Sequence, residues 1–169
     1  GLCITNFNVK NINTHKIALT QKYEDYLNSS LFISRIGKAR KSSIIHDSQE
    51  AVATQISYHS KMTAIVKLAD KCASLIGQEK INELGKVLDE GWNLKKSLGD
   101  FISNKAVDNR YKSLLEFGAQ GGRLLGAGMS GFILVSVDPN IQGNFLNMGK
   151  KHKIPIERIQ IDTIGARTI

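Results

Sequence analysis

The sequence predicts an α+β domain, in which helices cover one face of an antiparallel sheet. Three short runs rich in β-branched and other apolar residues have the length of strands: 31–36, 132–137 and 156–162. Between the first two runs, residues 43–118 carry apolar side chains at helical spacing. No linker, low-complexity tract or internal repeat divides the sequence. Residues 1–169 are therefore expected to form a single domain.

The chain begins with two weaker candidate strands. Leu2 and Ile4 alternate with polar neighbours as far as Phe7, which is the period of a half-buried strand. Residues 16–20 form the second candidate. The run 31–36 that follows is a stronger strand because it is more continuously apolar.

A long helical stretch is predicted from residue 43 to residue 76. One straight helix of this length would exceed what is usual in globular proteins, so we expect a break near His59 and Ser60. Gly77 is suited to end the helix, because glycine is common just after the last helical residue.

Two more helices follow before the chain returns to the sheet. The first has an apolar stripe formed by Ile81, Leu84, Leu88 and Trp92. This stripe predicts that Trp92 packs in the core. The second helix is expected to begin at Asn104 or Lys105 and to end at Gly118.

The carboxyl-terminal part is predicted to contain one helix and one strand. Asp138 and Pro139 supply an N-cap and a first-turn proline for the helix. This helix is expected to end near Gly149 or His152. The alternating run 156–162 then closes the sheet.

The stretch from Gly118 to Gly131 holds six glycines in fourteen positions and leads into an apolar strand. Each glycine carries an entropy cost that a special backbone path or a close approach must offset. The predicted order is helix, glycine loop, strand, whereas a Walker A loop and a dinucleotide fingerprint both open a helix. A helix C-cap with a close-packed, hairpin-like entry would account for two or three of these glycines. The whole run indicates a loop that approaches an anion or a partner loop.

This stretch resembles the third motif of the galactokinase–homoserine kinase–mevalonate kinase–phosphomevalonate kinase (GHMP) superfamily. In its D-glycero-D-manno-heptose 7-phosphate kinase branch the motif reads Gly-Ala-Leu-Gly-Gly-Lys-Leu-Leu-Gly-Ala-Gly-Gly-Gly-Gly-Phe. The chain keeps eleven of these residues: Gly118, Ala119, Gly121, Gly122, Leu124, Leu125, Gly126, Ala127, Gly128, Gly131 and Phe132. It departs from the motif at Gln120, Arg123, Met129 and Ser130. Upstream, residues 90–104 resemble the branch's Trp-x-Leu-Lys-Lys-x-Leu and Ile-Ser segments, and weaker similarity extends the resemblance over most of the chain.

The resemblance implies that the chain is the carboxyl-terminal half of a kinase, with a ferredoxin-like fold carrying additional helices on one face of the sheet. In the family, a segment like residues 1–7 follows the amino-terminal half. That half carries a phosphate-binding Gly-Leu-Ser-Ser loop and a catalytic Asp, neither of which has a match in this sequence. We therefore expect no catalytic residue in this chain, and we expect ATP and Mg²⁺ to be bound mainly by the amino-terminal half.

The resemblance also implies a site at the glycine stretch, against the nucleotide-phosphate loop and near the acceptor. Its predicted lining is Gly126, Ala127, Gly128, Met129, Ser130 and Gly131. Small residues let backbone N–H groups approach an anion without a Cβ in the way. Met129 and Ser130 place side chains where the family has glycine, and Ser130 either donates a hydrogen bond in the site or faces the surface.

Three cations are candidates for contact with a substrate phosphate. Arg40 and Lys41 precede a predicted helix and resemble the family's Arg-x-Ser-Ser segment. A guanidinium beside a helix N-terminus suits a sugar phosphate, although a capped helix start with solvated cations is an equally simple explanation. Arg123 either faces the site or packs its stem beside the loop.

Composition is typical of a cytoplasmic protein. The formal net charge is +8, with the cations scattered as on a solvated basic surface, and no nucleic-acid-binding motif accompanies them. The sequence contains two cysteines and four histidines, and neither set has metal-ligand spacing. No signal sequence and no apolar run of membrane-spanning length is present.

We therefore expect the carboxyl-terminal half of an ATP-dependent sugar or sugar-phosphate kinase. The whole enzyme would move the γ-phosphoryl group of Mg-ATP to a sugar hydroxyl, and its partners would be the small-molecule acceptor and the amino-terminal half. A non-catalytic ligand-binding or interaction module of ferredoxin-like type is the alternative, and an RNA-associated basic domain is a third possibility.

Overall fold

The computed structural model describes residues 1–7, 10–37, 43–78, 80–162 and 164–165. The strands are β1 (Cys3–Phe7), β2 (Ile12–Lys16), β3 (Leu31–Ile36), β4 (Ala119–Leu124), β5 (Gly131–Val137) and β6 (Glu157–Arg158). The helices are α1 (Gln21–Ser30), α2 (Ser43–Val52), α3 (Ile56–Gly77), α4 (Leu84–Lys96), α5 (Lys105–Glu116) and α6 (Gln142–Lys151). Short 3₁₀ turns at Ile81–Glu83 and Pro139–Ile141 precede α4 and α6.

The main sheet is four-stranded and antiparallel in the described part of the chain, with the spatial order β4-β5-β3-β6. Helices separate β3 from β4 and β5 from β6, while β4 and β5 form a hairpin. This connectivity and strand order are those of the ferredoxin-like split βαβ arrangement. The predicted α+β fold with additional helices is confirmed.

β1 and β2 form a separate two-stranded sheet, with Cys3 opposite Lys16 and Phe7 opposite Ile12. The second strand was expected over 16–20, and that position is wrong except at its first residue. Every residue of β2 is exposed. The strand is therefore recognised by its pairing with β1 and has no buried apolar face. The apolar periodicity of a sequence reflects burial, so it does not predict a strand that is fully exposed.

The long helical stretch is broken, but earlier than predicted. α2 ends at Val52 and α3 begins at Ile56, with Gln55 between them in an extended conformation. His59 therefore lies inside α3, and the expected break at His59 and Ser60 is wrong. α3 ends at Gly77 as predicted.

The core lies between the main sheet and the helices. The Trp92 side chain is 0% exposed, which confirms its predicted packing, and the rings of Phe32 and Phe145 contact with their centroids 5.4 Å apart. α5 begins at Lys105 as predicted, and Asn104 caps it, because the Asn104 side chain accepts a hydrogen bond from the Val107 amide at 3.0 Å.

The closing strand is much shorter than the predicted run 156–162. Glu157 and Arg158 pair with β3, opposite Ile33 and Phe32, and the Ile159 amide still donates to the Leu31 carbonyl at 3.2 Å. The chain then leaves the sheet, and the Ile161 amide donates to the side chain of Asn28 on α1 instead. A side-chain acceptor on a helix replaces the sheet partner that the alternating pattern led us to expect.

The glycine stretch is not one loop, which corrects the predicted order of helix, loop and strand. Its first half, Ala119–Leu124, is β4 and forms a hairpin with β5. A Cβ added to Gly121 would meet the backbone of Gly85 on α4. The close approach here is between a helix and a strand, as in the hairpin-like alternative. Only residues 125–130 form a loop.

Candidate functional site

The candidate site is the loop 125–130, which connects β4 to β5. The Leu125 amide donates to the Phe132 carbonyl at 2.8 Å and closes the base of the loop. Three loop residues have left-handed backbone conformations: Gly126 with φ of 79°, Gly128 with 141° and Met129 with 64°. The loop therefore follows a path that side chains rarely allow.

Gly128 packs against the chain's own backbone. It is buried, and a Cβ at this position would lie 2.7 Å from the Ile102 carbonyl oxygen and 3.1 Å from the Ile102 Cα. The amide of Met129 donates to the same carbonyl at 2.7 Å. The segment between α4 and α5 thus supports the loop from below, and glycine at 128 is required by this contact.

Met129 does not project its side chain into solvent. It is partly buried and packs against the core, and its carbonyl accepts a hydrogen bond from Asn104 Nδ2 at 2.7 Å. The sequence left open whether a side chain at this position would occupy the site. In the structure the side chain turns inward, although a non-glycine residue with positive φ carries strain.

Ser130 lies beside the end of β3. A Cβ added to Gly37 would lie 2.9 Å from the Cβ of Ser130. The Ser130 amide donates to the Gly128 carbonyl at 2.8 Å. Arg40 and Lys41 follow Gly37 by a few positions but lie outside the described residues. Their predicted contact with a substrate phosphate stays a prediction.

The tip of the loop is the open part. Gly126 is exposed, and a Cβ there would meet nothing within 4 Å. The Gly126 and Ala127 amides have no hydrogen-bond partner among the described residues. Gly131, by contrast, belongs to β5 and lies opposite Ile36 of β3. The tip therefore offers backbone donors, whereas the amides of Leu125, Met129 and Ser130 already donate to carbonyl groups of the chain.

Lys95, in the last turn of α4, reaches the loop from the side. Its Nζ donates to the Gly126 carbonyl at 2.6 Å. Burial, and then the neighbouring charge of Arg123, lower the pKa of Lys95. Sequence reasoning missed this contact, although residues 90–98 were singled out as a family-like block. The block and the glycine stretch meet through Lys95.

Arg123 lies on β4 and is partly buried. It lines a groove of about 380 Å³ between β1, α3 and α4, whose other walls are mainly apolar and include Cys72 and Leu88. Burial lowers the pKa of Arg123. No residue of the loop lines this groove, but Arg123 is close enough to Lys95 for its charge to lower the pKa of that lysine.

The cations beside the loop are not neutralised by ion pairs. Among the described residues, no carboxylate lies within ion-pair distance of Lys95 or Arg123, whereas Lys96 pairs with Asp108 at 3.6 Å. This arrangement leaves positive charge near a loop with free backbone donors. Such a combination is suited to an anion.

The described residues contain neither a metal-binding cluster of side chains nor a membrane-spanning helix. No group of three or more His, Cys, Asp or Glu side chains is arranged to hold a metal ion in that part of the chain. None of its helices is long and apolar enough to cross a membrane.

Comparison with known proteins gives one sequence match and several structural ones. Over 107 residues the chain is 29% identical to the D-glycero-alpha-D-manno-heptose 7-phosphate kinase of Campylobacter jejuni, covering 63% of this chain and 32% of that protein. The structure of L. major mevalonate kinase in complex with R-mevalonate matches with a TM-score of 0.76 and 15% identity, covering 94% of this chain and 48% of that one. No protein-family model matches.

A D-glycero-D-manno-heptose 1-phosphate kinase from Bacteriodes thetaiotaomicron matches with a TM-score of 0.59 and 17% identity, covering 89% of this chain and 38% of that one. The chain thus spans about a third of the curated relative and less than half of each of these two structures. The resemblance to the GHMP kinases is therefore confirmed, since the chain is similar in sequence to a heptose 7-phosphate kinase and shares its fold with mevalonate and heptose kinases.

Proposed function

We propose that this chain is the carboxyl-terminal half of an ATP-dependent sugar or sugar-phosphate kinase of the heptose 7-phosphate kinase type. The observation that carries the proposal is the loop 125–130, whose exposed tip offers the Gly126 and Ala127 amides beside the cation Lys95. The sequence similarity to a heptose 7-phosphate kinase supports it.

Phosphoryl transfer depends on positioning the reactants and stabilising the negative charge that is spread over the transferred group. In the proposed enzyme a sugar hydroxyl would attack the γ-phosphorus of Mg-ATP and lose its proton to a base, and ADP would leave. The tip of the loop would form one wall of the site and donate backbone hydrogen bonds to phosphate oxygens. Burial of Gly128 against Ile102 means that this residue would shape the loop and leave contact with the ligand to its neighbours.

ATP and Mg²⁺ would be held mainly by the amino-terminal half, which would also supply the catalytic Asp. The acceptor would be the anomeric hydroxyl of a heptose phosphate, and Arg40 and Lys41 would contact the phosphate already on that sugar. Arg123 is a weaker candidate for this contact, because it lines a groove to which no residue of the loop contributes.

The proposal is tested on the full-length parent protein. We expect its coding sequence to contain a Gly-Leu-Ser-Ser loop upstream of Gly1, and we expect the purified parent to phosphorylate a heptose phosphate with ATP and Mg²⁺. The 169-residue chain alone should show no turnover under the same conditions. Turnover by the chain alone, with contaminating kinases excluded, would contradict the half-enzyme proposal. A parent that lacks the upstream loop and activity would favour the interaction module.

A further inference from the structure

The loop 125–130 is held by two side chains from outside the hairpin, one near each end. Lys95 Nζ donates to the Gly126 carbonyl at 2.6 Å, and Asn104 Nδ2 donates to the Met129 carbonyl at 2.7 Å. Lys95 lies in the last turn of α4, and Asn104 is the N-cap of α5. The segment between these helices also contributes the Ile102 carbonyl, which accepts from the Met129 amide.

The bond from Lys95 decides which way one peptide group of the tip faces. In a trans peptide the C=O and the following N–H point in opposite directions. Because the Gly126 carbonyl is directed toward Lys95, the Ala127 N–H is directed away from it. This N–H has no partner among the described residues, so it is available as a donor. Without this bond the peptide could rotate, since glycine at 126 is conformationally permissive and a Cβ there would meet nothing within 4 Å.

Asn104 provides the second attachment and is itself fixed. Its Oδ1 accepts from the Val107 amide as the cap of α5, which leaves Nδ2 free to reach the loop. The bond to the Met129 carbonyl helps to hold a residue whose φ of 64° is unfavourable for a side chain. The start of α5 is therefore connected directly to the loop.

We propose that Lys95 is a positioning residue, which turns the Gly126–Ala127 peptide so that the Ala127 N–H faces a phosphate group of the bound reactants. Asn104 fixes the other end of the loop in the same role. The identity of the anion rests on the proposed function. The orientation of the peptide is independent of that function, because it follows from the bond between Lys95 and Gly126.

The orientation is tested in the 169-residue chain by NMR amide hydrogen exchange. Lys95→Met removes the donor, and Lys86→Met, at an exposed position on the same helix, is the matched control. In the wild type the Met129 amide is protected by its hydrogen bond to the Ile102 carbonyl. In Lys95→Met we expect this amide to exchange at least tenfold faster than in the wild type, with the urea midpoint unchanged within error. Lys95→Arg should restore most of the protection. Unchanged exchange at Met129 in Lys95→Met would overturn the proposal.

Kinetics of the full-length parent test the catalytic consequence separately. Loss of one charge-assisted hydrogen bond predicts that Lys95→Met lowers kcat by about 10- to 100-fold, with little change in the KM for the acceptor and partial rescue by Lys95→Arg. A normal kcat in Lys95→Met would overturn the positioning role. If the wild-type parent has no kinase activity, the proposed function fails, and the exchange experiment still decides whether Lys95 orients the loop.

Discussion

A Cβ on Gly128 would lie 2.7 Å from the carbonyl oxygen of Ile102. Real Cβ atoms do not approach a carbonyl oxygen so closely, and the φ of 141° at Gly128 is itself unfavourable for a side chain. The same carbonyl accepts the Met129 amide. Glycine at 128 is thus required because the loop packs directly against the segment between α4 and α5.

Gly128→Val is expected to destabilise the protein by roughly 2–4 kcal/mol, because it combines a steric clash with left-handed strain. In the full-length parent it should also abolish catalysis. Urea denaturation measures the first effect and steady-state kinetics the second. Gly77→Ala is the control, since its Cβ would meet nothing within 4 Å and its φ is not left-handed. That change should shift stability by about 1 kcal/mol or less. Normal stability and activity in Gly128→Val would contradict the close contact between Gly128 and the Ile102 backbone.

A second prediction concerns the buried hydroxyl of Tyr111. It donates to Asp89 Oδ1 at 2.5 Å and accepts from the Gly122 amide at 3.0 Å, which joins α5, α4 and β4 at one point. Tyr111→Phe leaves the Gly122 amide and the Asp89 carboxylate without this partner. We expect a loss of about 1–3 kcal/mol in unfolding free energy, the usual cost of a stranded buried polar group.

Tyr58→Phe is the matched control for this change. Tyr58 is partly exposed on α3, and its hydroxyl has no hydrogen bond to any residue in the described part of the chain. Its loss should change the urea midpoint by less than the error. Equal midpoints for Tyr111→Phe and the wild type would show that the three-way contact contributes nothing.

The third prediction is a pH dependence. Burial, and then the hydrogen bond to Asp89, raise the pKa of Tyr111 above its ordinary value of 10.0. Below that pH both the folded and the unfolded chain keep the phenolic proton. At higher pH the unfolded chain loses it first, so stability falls as the pH rises. Urea midpoints measured from about pH 8 to pH 11 should fall less steeply in Tyr111→Phe. Because burial also raises the pKa of Tyr26, some slope should remain. The same slope in both proteins would contradict the assignment.

The sequence predicted those elements whose apolar pattern reflects burial. β3 at Leu31–Ile36 and the helix with Trp92 on its inner face are examples. β2 was misplaced because all of its residues are exposed, and a strand defined only by pairing leaves no periodic signal.

The sequence predicted the position of the candidate loop but not the contacts that support it. Glycine density located residues 126–131, yet the glycines of β4 serve packing, since Gly121 touches Gly85. The contact of Lys95 with Gly126 joins residues that are 31 positions apart, and no local pattern encodes it.

The last prediction concerns Arg40, whose place in the structure is not described. Gly37, the last described residue before it, lies against Ser130 at the end of the loop. If Arg40 contacts the phosphate of the acceptor, Arg40→Ala in the full-length parent should raise the KM for a phosphorylated sugar about 10- to 100-fold, because one charge-assisted contact is lost. The KM for an unphosphorylated sugar should change much less. Lys151→Ala, at the exposed end of α6, should alter neither value. Steady-state kinetics with the paired acceptors distinguish the outcomes, and equal effects on both would mean that Arg40 supports the fold or the nucleotide instead of the acceptor phosphate.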